Sequence, residues 1–445
     1  MGLAMGNAVQ FIESKIFNFV VLQKLVELKW QEDFARNTER HTKRMIRSIV
    51  RAAMKHQIYR DKFAKAGLDP AKVDSPEELE RLEPLTKDEY RSMVEEALAS
   101  DTNDRYKWCH KDHTSGSTGK PLYICFSVEE YATIVAQLLY ILNKNGYRLF
   151  RDSSLDMSSP VHKGTRRAKS ILQRFGLLEK YYVSTMDDPR DIIKTINEVK
   201  PTEMLAGKSV MHSVLQYAVE NGLHIYPSKI IVNSAEPMDD RAAELIEHFF
   251  GPDALIDTYA TVESGILAYT MRGDRHKFHL NNSHYLYTII GPDGLHSDDG
   301  ELFITNLFFK QFPVINYKQG DRVKSFVDVD GNRYLTQVLG RNDDCIITRD
   351  GKRFSFHYLF AFMPRYNIIE QYRVIQEDYD RIRMVLVPRK NVDIDKEELE
   401  RELAQQLNTY MKDNQLQCEF EWVDSLPLDA NGKIRVIISK MSSEN

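Results

Sequence analysis

Thr114-Ser115-Gly116-Ser117-Thr118-Gly119-Lys120-Pro121 is the stretch on which the reading of this chain turns. Glycine lets backbone N–H groups converge into an anion nest, and the hydroxyls and the lysine add donors suited to a polyphosphate. The spacing is not that of a Walker A loop, because Gly116 and Gly119 stand too close together and Pro121 follows Lys120. Taken alone, the stretch reads equally well as a flexible polar loop.

Outward from this loop the texture differs on its two sides. Upstream, Met45, Ile46, Ile49, Val50, Ala53 and Met54 recur at helical spacing, predicting one helix over 39–66 stopped by Gly67. Ser75-Pro76-Glu77-Glu78 and Thr86-Lys87-Asp88-Glu89 both have the form of capping boxes. Downstream, a strand-like run at 121–126 precedes a helix that Ser127 caps and that reaches about Lys144. A buried-strand run at 229–232 leads through Asn233-Ser234-Ala235-Glu236-Pro237 into a helix ending near Phe250-Gly251, with a further strand at 254–259. This alternation argues α/β architecture. Residues 283–340 are β-rich, with turn signals at 291–294, 298–300 and 328–331. Strands at 372–375, 384–387 and 419–423 around a helix at 395–410 make a small α+β unit at the end.

Bulk numbers narrow the function classes. A chain of 445 residues, 42% hydrophobic, is too long for one core, so two or three domains are expected. A net charge of −5 offers no basic excess for nucleic acid. Four scattered cysteines without a C-x-x-C pair argue for a reducing compartment. The segment 16–25 is too short and too interrupted to span a bilayer, and the first residues lack the form of a secretory signal. A cytoplasmic protein without a membrane or nucleic-acid partner is expected. The amphipathic N-terminus suits a homodimer interface or the core alike. Cys109, His110 and His113 invite a zinc reading, but no fourth ligand at suitable spacing accompanies them.

The loop is followed in order by Ala235-Glu236-Pro237, Tyr259-Ala260-Thr261-Val262-Glu263, Gly300-Glu301 through Asn306, Tyr317-Lys318-Gln319-Gly320-Asp321, Gly340-Arg341-Asn342-Asp343-Asp344 and Asn431-Gly432-Lys433. From about residue 40 to the end, this series resembles the adenylate-forming superfamily of acyl-CoA synthetases, nonribosomal peptide adenylation domains and luciferases. The helical N-terminus and the Glu236-Pro237 pair look most like its phenylacetate–CoA ligase branch, the CapK or coenzyme F390 synthetase group. The resemblance implies a large N-terminal domain of mixed sheets flanked by helices with a β-rich subdomain, over 1–341, of which 1–105 is a mainly helical extension. A hinge at 342–344 and a small mobile α+β lid over 345–445 complete it.

The implied reaction has two steps. A small carboxylic acid attacks the α-phosphate of ATP with release of pyrophosphate, and a thiol then displaces AMP. The implied cofactors are ATP, Mg²⁺ and coenzyme A. A carrier-protein thiol, an amine or nucleotidyl transfer are alternative second steps, and a noncatalytic nucleotide-binding scaffold is the alternative of another class.

The resemblance assigns residues to these tasks. Thr114, Ser115, Gly116, Ser117, Thr118, Gly119 and Lys120 would hold the β- and γ-phosphates. Glu263 would ligate Mg²⁺, which favours one or two carboxylates beside phosphate oxygens. Ser234, Ala235, Glu236, Pro237, Tyr259, Ala260 and Thr261 would line the nucleotide. Asp321 would accept the ribose hydroxyls, with Arg341 beside it. Lys433 would bridge the attacking carboxylate and the α-phosphate, and Asp343 would be the hinge. Tyr131, Met157, Ser158, Gly207 and Lys208 are expected at the acyl pocket. Two departures stand out. Val262 occupies the place where relatives carry the hydroxyl that contacts the α-phosphate, leaving Thr261 one residue early. Lys318-Gln319 replaces the usual arginine–threonine pair before Gly-Asp.

Overall fold

The parallel strands that follow the loop build the middle of the molecule. A computed structural model describes residues 17–29, 39–101, 106, 109–113, 123–158, 179–185, 187–234, 236–341, 345–349, 353–355, 363, 366, 368–389, 392–411, 415–427 and 436–443. The loop 114–120, Ala235, Asp343 and Lys433 lie outside the described residues, as do the side chains of Ser158 and Arg341.

A hairpin of β1 (His110–His113) and β2 (Tyr123–Phe126) precedes the main sheet. In that sheet β3 (Ser154–Ser158), β4 (Lys180–Ser184), β5 (Glu203–Ala206), β6 (Ile230–Ser234) and β7 (Leu255–Thr261) run parallel, with one helix each between β4 and β5, β5 and β6, and β6 and β7. From β7 the pairing turns antiparallel through β8 (Gly265–Met271), β9 (Asp274–Leu280), β10 (Tyr285–Ile290), β11 (Asp299–Asn306), β12 (Val314–Val327) and β13 (Arg333–Arg341). The sheet order is β10-β11-β12-β13-β9-β8-β7-β6-β5-β3-β4. Gly300 lies where β11 passes β10, and a Cβ there would sit 2.1 Å from the Ile290 carbonyl oxygen. The expected turn at 298–300 is instead the start of β11, and this crowding is why glycine stands there.

A small apolar cluster sets Ile141 and Leu142 against Val232 and Ile256, and two large ones cover much of this sheet. One joins the parallel strands to the helices Pro189–Val199, Lys208–Asn221 and Asp240–Phe250, around Leu155, Ile196, Met204, Leu215 and Ile246. The other joins the N-terminal helices to the antiparallel strands, around Ile49, Tyr59, Phe63, Tyr90, Phe312 and Tyr317. The N-terminal helices are thus part of a shared core. The Tyr59 hydroxyl donates to the Pro313 carbonyl at 2.7 Å and accepts from the Ile315 N–H at 3.0 Å. The single helix expected over 39–66 is two, Glu39–Ala53 and Gln57–Ala66. His56 is extended between them, and its Nε2 lies 3.0 Å from the Gln311 carbonyl oxygen. Gly67 ends the second helix at φ 64°, as the sequence predicts.

At the carboxyl end, β16 (Ile369–Asp378), β17 (Arg381–Pro388), β18 (Gln417–Trp422) and β19 (Ile437–Ser439) form a four-stranded sheet. It packs under the helix Lys396–Met411 through Met384, Leu386, Leu403 and Leu407. Gln376, fully buried, ties the hairpin of β14 (Cys345–Ile347) and β15 (Arg353–Ser355) to that sheet by bonding both the N–H and the carbonyl of Ile347. This is the α/β architecture with a smaller α+β unit expected from the sequence. Among the described residues no helix is long and apolar enough to cross a membrane.

Candidate functional site

Residues at the carboxyl ends of β5, β6 and β7 gather where an open α/β sheet presents its ligand side. β7 leaves through Val262-Glu263-Ser264 into Gly265, which has φ 82°. A Cβ on Gly265 would lie 2.7 Å from the Tyr285 hydroxyl, so position 265 demands glycine twice over. The Ser264 carbonyl accepts from that hydroxyl at 2.7 Å and from the Asn306 side-chain amide at 3.2 Å. Both donors are buried, and together they fix the turn that carries Glu263. Glu263 is 3% exposed, and its Oε2 has no hydrogen-bond partner among the described residues. A buried carboxylate oxygen left without a donor needs a cation or a water to complete it.

Strand alternation turns Tyr259 and Thr261 to one face of β7. On β12 Gln319 and Asp321 are both buried on either side of Gly320, whose φ of 79° marks a bulge in the strand. The two pairs meet although the strands are far apart in sheet order. The Tyr259 hydroxyl donates to Asp321 Oδ2, with the residues 9% and 5% exposed. Gln319 Nε2 donates to the Thr261 hydroxyl oxygen at 3.2 Å, and the Ser264 hydroxyl donates to Gln319 Oε1 at 2.8 Å. Val262, on the opposite side, packs against the large apolar cluster. Asp321 also pairs in register with Arg341 across β12 and β13.

Ser234 ends β6, half-buried, and the neighbouring Asn233 amide donates to the Glu236 carbonyl and to Asp257 Oδ1, each at 2.8 Å. Burial pushes the Asp257 carboxyl up to about 6, against the Asn233 donor. Glu236 turns its carboxylate to the start of the helix Lys208–Asn221. It accepts from the Ser209 N–H at 3.0 Å and from the Ser209 hydroxyl at 2.5 Å. Pro237 is exposed.

The residues expected at an acyl pocket do not share one surroundings. Lys208 is ion-paired to Asp239 at 2.8 Å, and despite burial this neighbour keeps the Asp239 carboxyl below its ordinary range. Gly207 lies against Glu236. Met157 sits in the core under the parallel strands. Tyr131 stacks on His110 with ring centroids 3.7 Å apart, so His110 faces an aromatic ring. Among the described residues no three His, Cys, Asp or Glu side chains gather as a metal cluster.

The site thus brings together Tyr259, Thr261, Glu263 and Asp321, with Ala260 on β7 between the first two and Ser234 at the end of the adjoining β6. Sequence reading noted Gln319 only as a departure and passed over Ser264 and Asn233. The signal available for Gln319 was its two-residue offset from Asp321, matched by that of Thr261 from Tyr259.

Residues 346–440 match the CapK C-terminal domain family. Over 398 residues the chain is 22% identical to Protein CapK of Staphylococcus aureus, covering 86% of this chain and 85% of that protein. Among solved structures, 2-hydroxyisobutyryl-CoA ligase in the postadenylation state superposes with a TM-score of 0.72 at 17% identity, over 90% of each chain. The same ligase in the thioesterification state gives 0.59 over 90% of this chain and 89% of that one. The anthranilate CoA ligase AuaEII bound to anthranoyl-AMP gives 0.54 at 17% identity, over 74% of this chain and 66% of that one. The chain has the fold of these CoA ligases, and its residues 346–440 match the CapK C-terminal domain family.

Proposed function

We propose that this protein joins a small carboxylic acid to a thiol, that of coenzyme A, through an acyl-adenylate made from ATP. The observation that carries the reading is the meeting of β7 and β12. A buried tyrosine–aspartate pair, a hydroxyl and a buried glutamate, one of whose oxygens has no partner among the described residues, follow one another along the chain at positions 259, 261 and 263. A nucleotide presents a ribose diol, an α-phosphate and a metal-bearing pyrophosphate in that same order. The ligases of similar fold include one bound to an acyl-AMP in its postadenylation state and one bound to anthranoyl-AMP.

In the first step an oxygen of the substrate carboxylate attacks the α-phosphorus, and the bond to the pyrophosphate oxygen breaks. Both partners are anions, so the protein's task is neutralisation and alignment. Asp321 accepts the ribose hydroxyls with one oxygen while Tyr259 holds the other. Thr114 to Lys120 cradle the departing phosphates, and Lys433 spans the carboxylate and the α-phosphate. A single buried carboxylate whose second oxygen meets no donor among the described residues suits Mg²⁺, which retains waters and phosphate oxygens for its other positions, so Glu263 would hold that ion. Bound there, Mg²⁺ would neutralise charge on the phosphates. In the second step a thiolate attacks the acyl carbon and AMP leaves. The unit 345–445 pivots at 342–344 between the steps.

Pyrophosphate exchange across a panel of carboxylic acids tests the first step. Exchange is expected with at least one acid, falling about 10²–10³-fold in Lys433→Ala and in Glu263→Gln. Added coenzyme A should then give a thioester by mass spectrometry. Absence of exchange across the panel with intact folded protein would overturn the reading.

A further inference from the structure

Position 262 supplies no hydroxyl in this chain, because Val262 is turned into the apolar core. The neighbouring Thr261 faces the site and is half-buried. A hydroxyl has one proton to give and two lone pairs to receive with. In the Ser264–Gln319–Thr261 chain of bonds, Ser264 gives its proton to the Gln319 carbonyl, and the Gln319 amide gives one of its own to Thr261. Thr261 therefore receives within the protein, and its own proton meets no acceptor among the described residues. Gln319 is 7% exposed and Ser264 fully buried, so water does not compete for these bonds.

We propose that Gln319 is a positioning residue that aims the Thr261 hydroxyl as donor to the α-phosphoryl group of the nucleotide, in place of a residue at 262. This rests on the proposed nucleotide site. Thr261 stands between Tyr259, which holds Asp321, and Glu263, so its proton enters the site between the ribose end and the metal end. The two departures at 262 and 319 are then one change. Loss of the hydroxyl at 262 is matched by a longer amide at 319 that reaches Thr261 and Ser264 together.

The test compares AMP with adenosine by calorimetric titration of the full-length protein, since the two ligands differ only in the phosphate. Thr261→Val and Gln319→Leu should each weaken AMP about 10–100-fold, the range for a hydrogen bond to a charged group, and leave adenosine unchanged. The double variant should lose no more than Thr261→Val alone, because Gln319 acts through Thr261. Thr261→Ser keeps the hydroxyl and should restore AMP binding. Equal losses for AMP and adenosine, full additivity, or unaltered AMP binding in Thr261→Val would overturn the assignment of Gln319 and leave the nucleotide site standing. A wild-type protein that binds neither ligand would overturn both.

Discussion

A single buried carboxylate far from the candidate site gives this protein a pH dependence of definite sign. Glu203, at the start of β5, is 1% exposed; its Oε2 accepts from the Ser154 hydroxyl and its Oε1 has no partner among the described residues. Burial dominates and pushes its pKa from an ordinary 4.5 to about 7, although Ser154 and the nearby Lys180 oppose the shift. Lys180 itself is committed to Asp156 at 3.1 Å. Between these two pH values the folded chain keeps a proton that the unfolded chain has released, so stability falls as pH rises through the window. The span from 4.5 to about 7 corresponds to about 3 kcal/mol. The unfolding free energies obtained from urea titrations at pH 5 and pH 8 should therefore differ less in Glu203→Gln than in the wild type, by up to that amount. An unchanged pH slope would show that the folded chain carries Glu203 ionised.

At the scale of one element, the helix Lys208–Asn221 shows how a start signal can come from outside the helix. Its N-cap is Gly207, which offers no side chain, and the cap acceptor is the Glu236 carboxylate bound to the Ser209 N–H. An anion at this end also meets the positive pole of the helix. Glu236→Ala should cost about 1 kcal/mol by chemical denaturation. A Cβ on Gly207 would come within 3.0 Å of Glu236 Oε1, so Gly207→Ser should be unfavourable in the wild type. In the Glu236→Ala background the same serine has room and should recover the cap. If it restores nothing there, Glu236 stabilises by some contact other than capping. Caps made within a few residues were legible in the sequence: Ser75 with Glu78, Thr86 with Glu89 and Ser127 with Glu130 all form both bonds of a capping box. The cap at Gly207 was not, because its acceptor comes from a loop after the next strand. Nor was the break at His56, which depends on Gln311 in a distant loop. The candidate site divides likewise. Residue types and order marked Tyr259, Glu263 and Asp321, whereas the network through Gln319 exists only once β12 faces β7.

Across the whole molecule the question is which arrangement of its two units the contacts favour. The superposition on one ligase falls from 0.72 in its postadenylation state to 0.59 in its thioesterification state, with the matched share of this chain unchanged at 90%. On the proposed cycle, in which the unit 345–445 pivots, the large and small parts would sit differently on one another in the two states. One polar contact between them is a candidate for holding this arrangement. His212, on the helix that Glu236 caps, meets Glu370 of β16 at 3.0 Å, and Arg389 approaches the same carboxylate at 3.4 Å. Both His212 and Glu370 are mostly shielded from solvent, which strengthens the pair relative to a surface one. On the proposed two-step cycle this contact must break before the thiol step. His212→Ala should lower the population of the present arrangement, reducing pyrophosphate exchange about 2–5-fold, the yield of a contact worth about 1 kcal/mol. Thioester formation from preformed acyl-adenylate should be unchanged or faster. A uniform loss in both half-reactions would instead mark His212 as a residue of general stability, because a contact confined to one arrangement cannot slow the step that takes place in the other.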